Sequence, residues 1–383
     1  MNDLLSPRRL LLPLIPFYRL ALGFRDLRRV VGLEPVRRLR FPVIAVGNLS
    51  VGGAGKTPLT IALARALAER GLRVDVLSRG YGRVNRSAAR VNPGGSAEEF
   101  GDEPILIALA ARVPVYVAPL RFDAGQLAEN DAIAAPAQPR PMPEQPEQGA
   151  KLAANALESK QAPQSHPGEA HPDGIAAPKR TDAPACSVHL LDDAYQHRQL
   201  ARDVDILLLD RGDWRDWLLP AGNLREPLEA IHRASVIAVP ANEPDLEVAL
   251  RLAGWQGPIW RLRRVMEIPA MQNPIAAFCG IARPEQFFKG LQAVGLRLAV
   301  RFAFPDHCNY TPAVLEELLA EARENKVKAI VTTDKDMIRL GKLTSIFPKS
   351  MPPMAAHLHI EIEDRDAVVD WLVDRVVNST RRG

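Results

Sequence analysis

An α/β fold with a mainly parallel sheet and helices on both faces is what this sequence predicts, on three observations. Short β-branched runs alternate with helical spacing, a glycine-rich passage joins the first clear strand to a helix, and paired aspartates close a later strand. The runs at 43–46, 74–77, 113–118, 189–192, 205–209 and 235–239 are each followed by a helical pattern. After a connecting strand at 258–264 the rhythm restarts with 275–279, 298–302 and 329–332, which predicts a second, smaller α/β lobe. A strand at 357–362 and an amphipathic helix at 365–377 close the chain. The expected division is 1–262 and 263–383, and the length of 383 residues agrees, because single cores stop growing at about 250–300 residues.

From about 131 to 184 the rhythm fails. The segment is rich in Pro, Ala, Gln and Glu without sustained apolar periodicity, so it is expected to be a disordered insertion that buries too little surface to offset its ordering entropy.

Charge and cysteine usage narrow the function classes. The excess of 49 Lys and Arg over 45 Asp and Glu is +4, too small to read a nucleic-acid partner from net charge, and no obligate protein partner is inferred. The basic residues are unevenly placed: Arg8, Arg9, Arg19, Arg25, Arg28, Arg29, Arg37, Arg38 and Arg40 face only Asp3, Asp26 and Glu34. The apolar stretch 10–24 carries Arg19, Pro13 and Pro16 and is shorter than the roughly 17–25 residues that span a bilayer. It runs on into Arg25, Arg28 and Arg29 rather than into a cleavage site, so export is not expected. Such a segment is suited to an anionic membrane surface; packing on the protein's own core is the alternative. The three widely spaced cysteines, Cys186, Cys279 and Cys308, suggest neither a disulfide framework nor a metal site and fit a reducing compartment.

The glycine-rich passage follows the strand at 43–46 and precedes helical spacing at 59–70. Within it, Gly52, Gly53, Ala54 and Gly55 let backbone N–H groups curl around phosphate oxygens, and the helix N-terminus adds its positive end. Lys56 is placed to reach the β- and γ-phosphates and Thr57 to ligate Mg²⁺, so ATP and Mg²⁺ are the expected cofactors of a P-loop NTPase-type domain. The usual pattern has glycine where this chain has Ser50. Asp192 and Asp193 end a buried strand at its carboxyl side, where one of them suits the metal-holding acid of such a site and where acids also simply cap loops. Asp210 ends the next strand and reads as structural.

The runs Val46-Gly47-Asn48-Leu49-Ser50-Val51-Gly52-Gly53-Ala54-Gly55-Lys56-Thr57-Pro58, Leu77-Ser78-Arg79-Gly80-Tyr81, Gly101-Asp102-Glu103-Pro104, Asp192-Asp193-Ala194-Tyr195-Gln196-His197-Arg198 and 219–227 resemble, in order, the tetraacyldisaccharide 4'-kinase family. Phe304-Pro305-Asp306-His307 and Thr332-Thr333-Asp334-Lys335-Asp336 continue the resemblance. It implies transfer of the ATP γ-phosphate to the 4'-hydroxyl of a tetraacylated glucosamine disaccharide 1-phosphate, giving lipid IVA at the cytoplasmic face of the inner membrane. The family commonly has Gly and Phe where this chain has Ala194 and Tyr195, and Ala194 puts the local backbone shape in question, since only Gly reaches positive φ cheaply.

The resemblance further implies that Asp102 acts as base with His307 as its partner from the other lobe, kept apart until closure, and that Asp306 and Glu103 support them. Glu103 joins Thr57, Asp192 and Asp193 as a candidate metal ligand, while Lys335 either approaches the nucleotide or caps a strand. Arg79, Tyr81, Asn223, Arg225 and Glu226 are candidate contacts to the acceptor, because Arg forks suit phosphate and amides suit sugar hydroxyls; salt-bridged loop structure is the competing account. Two other functions stay open: a membrane-attached ATPase switch with a deviant phosphate loop, which wants lysine where Val51 stands, and a different small-molecule P-loop kinase.

Overall fold

The computed structural model describes residues 7–53, 55–134 and 187–380. Ala54 and the expected insertion from 135 onward lie outside the described residues. The strands are β1 (Val43–Asn48), β2 (Arg73–Ser78), β3 (Ala89–Arg90), β4 (Val115–Val117), β5 (Ser187–Leu191), β6 (Val204–Leu208), β7 (Val236–Pro240), β8 (Ile259–Glu267), β9 (Ile275–Cys279), β10 (Leu298–Ala303), β11 (Ala329–Thr333) and β12 (Pro353–Ile362). The helices are α1 (Ile15–Val30), α2 (Lys56–Glu69), α3 (Ala97–Phe100), α4 (Asp102–Ala111), α5 (Arg121–Ala134), α6 (Arg211–Trp214), α7 (Pro244–Leu252), α8 (Pro284–Ala293), α9 (Pro312–Glu324), α10 (Asp334–Leu340) and α11 (Arg365–Thr380). The first four residues expected in the insertion, 131–134, are helical as the end of α5, and Tyr116 Oη donates to Asp131 Oδ2 at 2.9 Å there.

Among the described residues the twelve strands form one sheet in the order β10-β9-β11-β12-β8-β7-β6-β1-β5-β2-β4-β3. Pairing is parallel except at β3–β4 and at β12–β8. The antiparallel β12–β8 pair joins the strands after residue 263 to those before it, and the expected division at 262 falls inside β8. β3 was not foreseen, because two residues are too short for any period.

β1 is buried along all six residues, as a central parallel strand covered on both faces must be. Its alternate side chains serve two cores. Ile44 and Val46 pack with α2, α4 and α11, whereas Val43 and Ala45 pack with α5. On α2 the buried Leu59, Leu63 and Leu67 recur every fourth residue as one stripe, each burial contributing about 1.5–3 kcal/mol against exposure. On the other side of the sheet order, α9 and α8 cover β9 and its neighbours through Leu315, Leu318 and Leu319 and through Phe287, Phe288 and Leu291.

α1 has no buried residue. Ile15 and Tyr18 lean on the cluster around β6 and β7, and the Tyr18 hydroxyl donates to the Arg225 carbonyl at 3.0 Å. Phe17, Leu20, Phe24 and Leu27 remain exposed at three- and four-residue spacing, which puts them on one stripe. No described helix is long and apolar enough to cross a membrane.

Candidate active site

The phosphate loop leaves the carboxyl end of β1, with β5 and β6 as neighbours on either side. Gly52 and Gly55 take φ of +107° and +92°, conformations a side chain resists, so these two glycines are required by the turn. Gly47 is required by space: a Cβ there would lie 2.6 Å from Tyr195 Cβ. Ser50, the departure from the usual pattern, is buried and accepts a hydrogen bond from Asn48 Nδ2 at 2.9 Å. The Asn48 amide is thereby turned so that Oδ1 accepts from Lys56 Nζ at 2.9 Å and from Arg225 Nη2 at 2.6 Å.

Asp193 completes this cluster, with Oδ1 3.3 Å from Lys56 Nζ and 3.0 Å from Arg225 Nη2. Burial pushes its carboxyl up, but Lys56 and Arg225 outweigh that and hold it well below the usual carboxylate range. Its backbone sits at φ +45°, a strained position that aims the side chain at the loop. Ala194 is not among the positive-φ residues, so the doubt about its backbone shape is resolved: the left-handed position belongs to Asp193.

Asp192 turns the other way. Its carboxylate accepts from Thr60 Oγ1 at 3.0 Å and Thr57 Oγ1 at 3.4 Å, while Arg121 donates to the carbonyls of Asp192 and Asp193 at 2.9 and 2.7 Å. Burial, together with Glu103 and Asp193 nearby, pushes the Asp192 carboxyl up. A buried acid so raised is short of positive charge, which a divalent cation would supply. Among the described residues no group of three His, Cys, Asp or Glu side chains converges. The Asp192 carboxylate and the Thr57 hydroxyl beside it are donors of the kind Mg²⁺ takes in a phosphate-transfer site, where substrate phosphates and water provide the remaining oxygens.

Asp102 is the first residue of α4, directly after Gly101 at φ +90°. His307 sits at φ +59° in the loop after β10. The structure brings these two residues together, with His307 Nδ1 3.5 Å from Asp102 Oδ2. Burial opposes it, but the His307 hydrogen bond and the charges of Arg339 and Lys335 hold the Asp102 carboxyl far below the ordinary range; the His307 imidazole is raised, mainly by Asp102. Tyr81 packs its ring 5.0 Å from that of His307, and Asp306 Oδ2 is 4.0 Å from His307 Nε2. Glu103 is ion-paired with Lys335, whose charge also faces Asp102 and Asp192 and so links this pair to the Asp192 end of the site.

The candidate acceptor contacts divide. Tyr81 stands beside His307 and Arg225 within the phosphate-loop cluster; Arg79 is exposed. Asn223 is taken by Asp216 at 2.8 Å and Arg8 at 3.0 Å. Glu226, only 2 % exposed, is enclosed by Arg25 at 2.7 Å and by Arg233, so it ties α1 to the body instead of facing an acceptor. Asp210 is structural as expected: it caps α6 through Asp213 N–H at 2.8 Å and pairs with Arg283 at 2.7 Å. Sequence reasoning passed over Thr60, Arg121, Arg264 and Arg339. Arg264 lies 3.3 Å from where a Cβ on Gly55 would stand, against the phosphate loop. An arginine inside a helix or strand carries no motif of its own, and only Thr60, one helical turn after Lys56, had a signal to find.

The chain is similar to known proteins over most of its length. A family model described as Tetraacyldisaccharide-1-P 4'-kinase matches residues 7–135 and 171–377. The chain is 36% identical over 347 residues to the tetraacyldisaccharide 4'-kinase of Koribacter versatilis, covering 88% of this chain and 89% of that protein. It is 35% identical over 357 residues to that of Anaeromyxobacter dehalogenans, covering 86% and 80%. The "apo" form of LpxK from Aquifex aeolicus, solved in complex with ATP, is similar with a TM-score of 0.63 and 28% identity over 97% of this chain and 99% of that one. With both halves of the site inside the matched segments, the chain belongs to the tetraacyldisaccharide 4'-kinase family.

Proposed function

We propose that the protein transfers the γ-phosphate of ATP to the 4'-hydroxyl of tetraacyldisaccharide 1-phosphate, giving lipid IVA in lipid A biosynthesis. The observation that carries this reading is the convergence of the Lys56–Asp193 pair of the phosphate loop with a separate Asp102–His307 pair, joined through Lys335. Phosphoryl transfer to a hydroxyl requires charge stabilisation, alignment and a proton acceptor, and each has a residue here.

Lys56 serves the β- and γ-phosphates, and Arg225 keeps Asp193 compensated as the lysine turns to them. Thr57 and Asp192 would hold Mg²⁺, with Asp193 and Glu103 close by. Bound there, the metal supplies neutralising charge to the transferring phosphoryl group. Asp102 takes the proton of the acceptor hydroxyl, and His307 orients its carboxylate to do so. Tyr81, exposed beside His307, is the acceptor contact best supported by position.

The acceptor is a lipid, and the exposed stripe of α1 with its arginines suits an anionic bilayer, so the enzyme works peripherally at the cytoplasmic face of the inner membrane. The two-lobe division near residue 262 belongs to the same reading, with β8 and β12 as the joint. The test is transfer of label from γ-labelled ATP to tetraacyldisaccharide 1-phosphate, followed by chromatography of the lipid. Label in the lipid is expected. ATP turnover indifferent to the glycolipid would favour the ATPase switch, and turnover with a different acceptor would favour another small-molecule kinase.

A further inference from the structure

We infer that Arg339 is a positioning residue for the transfer, holding the Asp102 carboxylate in the orientation that meets the acceptor hydroxyl and His307. The inference rests on the role proposed for Asp102 above.

The guanidinium of Arg339 is almost wholly enclosed and each of its nitrogens is used. Nε donates to Asp102 Oδ2 at 2.8 Å, and Nη2 donates to the same oxygen. Nη2 also lies 3.2 Å from His307 Nδ1, while Nη1 donates to the Gly280 carbonyl and to Asp336 Oδ1 at 3.1 Å. A planar fork with two nitrogens on one oxygen fixes the place of Oδ2 more closely than a single ammonium does. The other oxygen, Oδ1, accepts from Glu103 N–H at 2.9 Å, so the plane of the carboxylate is set from both sides.

What holds Arg339 is itself rigid. Asp336 is fully buried and accepts from Gly280 N–H at 3.1 Å, Tyr310 Oη at 2.9 Å and Thr333 Oγ1 at 2.6 Å. The anchor therefore comes from β9, β11, α10 and the loop after β10, whereas Asp102 belongs to α4. Arg339 thus carries the position of one part of the sheet to the acid presented by the other. His307 Nδ1 shares in this: bare, it faces the Arg339 donor, and carrying a proton it faces Asp102 Oδ2 at 3.5 Å. The imidazole is oriented by the same guanidinium that orients the carboxylate.

The test compares Arg339→Ala, Arg339→Lys and Asp102→Asn in the labelled-lipid assay, with melting curves for each. Arg339→Ala is expected to lower kcat about tenfold, the size of a lost coupled contact, while KM for ATP and for the acceptor changes little. Millimolar guanidinium should restore part of the loss, and Arg339→Lys, which keeps the charge but not the fork, should fall between Ala and the native enzyme. A kcat near the native value in Arg339→Ala, or a loss that neither guanidinium nor lysine repairs, overturns the inference. If Arg339→Ala fails to fold, Arg339→Lys decides alone: reduced kcat with unchanged KM supports the role and a native kcat overturns it. Full activity in Asp102→Asn would instead remove the role of Asp102 itself, whereas an inactive Asp102→Asn beside a native Arg339→Ala removes only Arg339.

Discussion

Lys56 and Asp193 form an ion pair at the base of the phosphate loop, 3.3 Å from Nζ to Oδ1, and Arg225 closes on the same oxygen at 3.0 Å. The lysine that must serve a phosphate is thus already held beside it by an acid that another cation can keep satisfied.

Replacing Lys56 with Ala should therefore lower kcat by about 10²–10³-fold, as loss of a preorganised cationic donor does, while the fold survives because Arg225 still compensates Asp193. Steady-state transfer and a melting curve measure the two parts. Near-native transfer by Lys56→Ala would remove the phosphate-loop assignment.

The two aspartates should separate experimentally, since they face different partners. Asp192→Asn removes the carboxylate beside Thr57 and should raise the Mg²⁺ concentration needed for half-maximal rate; Asp193→Asn unpairs Lys56 and Arg225 and should act chiefly through KM for ATP. Mg²⁺ titrations of both variants at saturating ATP check this. An unchanged Mg²⁺ dependence in Asp192→Asn would rule out its place at the metal.

Asp102 and His307 share one contact, so their losses should not multiply. Each alanine variant should lose about 10²–10⁴-fold in kcat, the usual range for general acid–base work, and the double variant should be little worse than the poorer single one. Full multiplication of the two losses at saturating substrates would mean independent roles.

Changing Phe17, Leu20, Phe24 and Leu27 together to Gln should reduce flotation with anionic liposomes while transfer to detergent-dispersed acceptor persists. Point changes are preferable to truncation, because removing α1 would also break the Tyr18–Arg225 and Arg25–Glu226 contacts. Undiminished flotation of the variant would leave α1 as a purely structural helix.

The phosphate loop, the acids after β5 and the rhythm of the sheet could all be read in the sequence, because glycine freedom, strand burial and helix spacing are properties of neighbouring residues. Gly52, Gly55, Lys56 and Thr57 lie within six positions of one another, so their chemistry is local and visible in the chain. Tertiary structure decided what depends on distant returns of the chain. Nothing near Asp102 indicates that Arg339, 237 residues later, would clamp its carboxylate. Glu226 looked available and proved enclosed by two arginines. β12 met β8 antiparallel although its own residues carry no direction. The physical reason is common to all of them: backbone preferences act over a few bonds, whereas the charge and hydrogen-bond partners of a buried side chain are chosen by packing across the whole sheet.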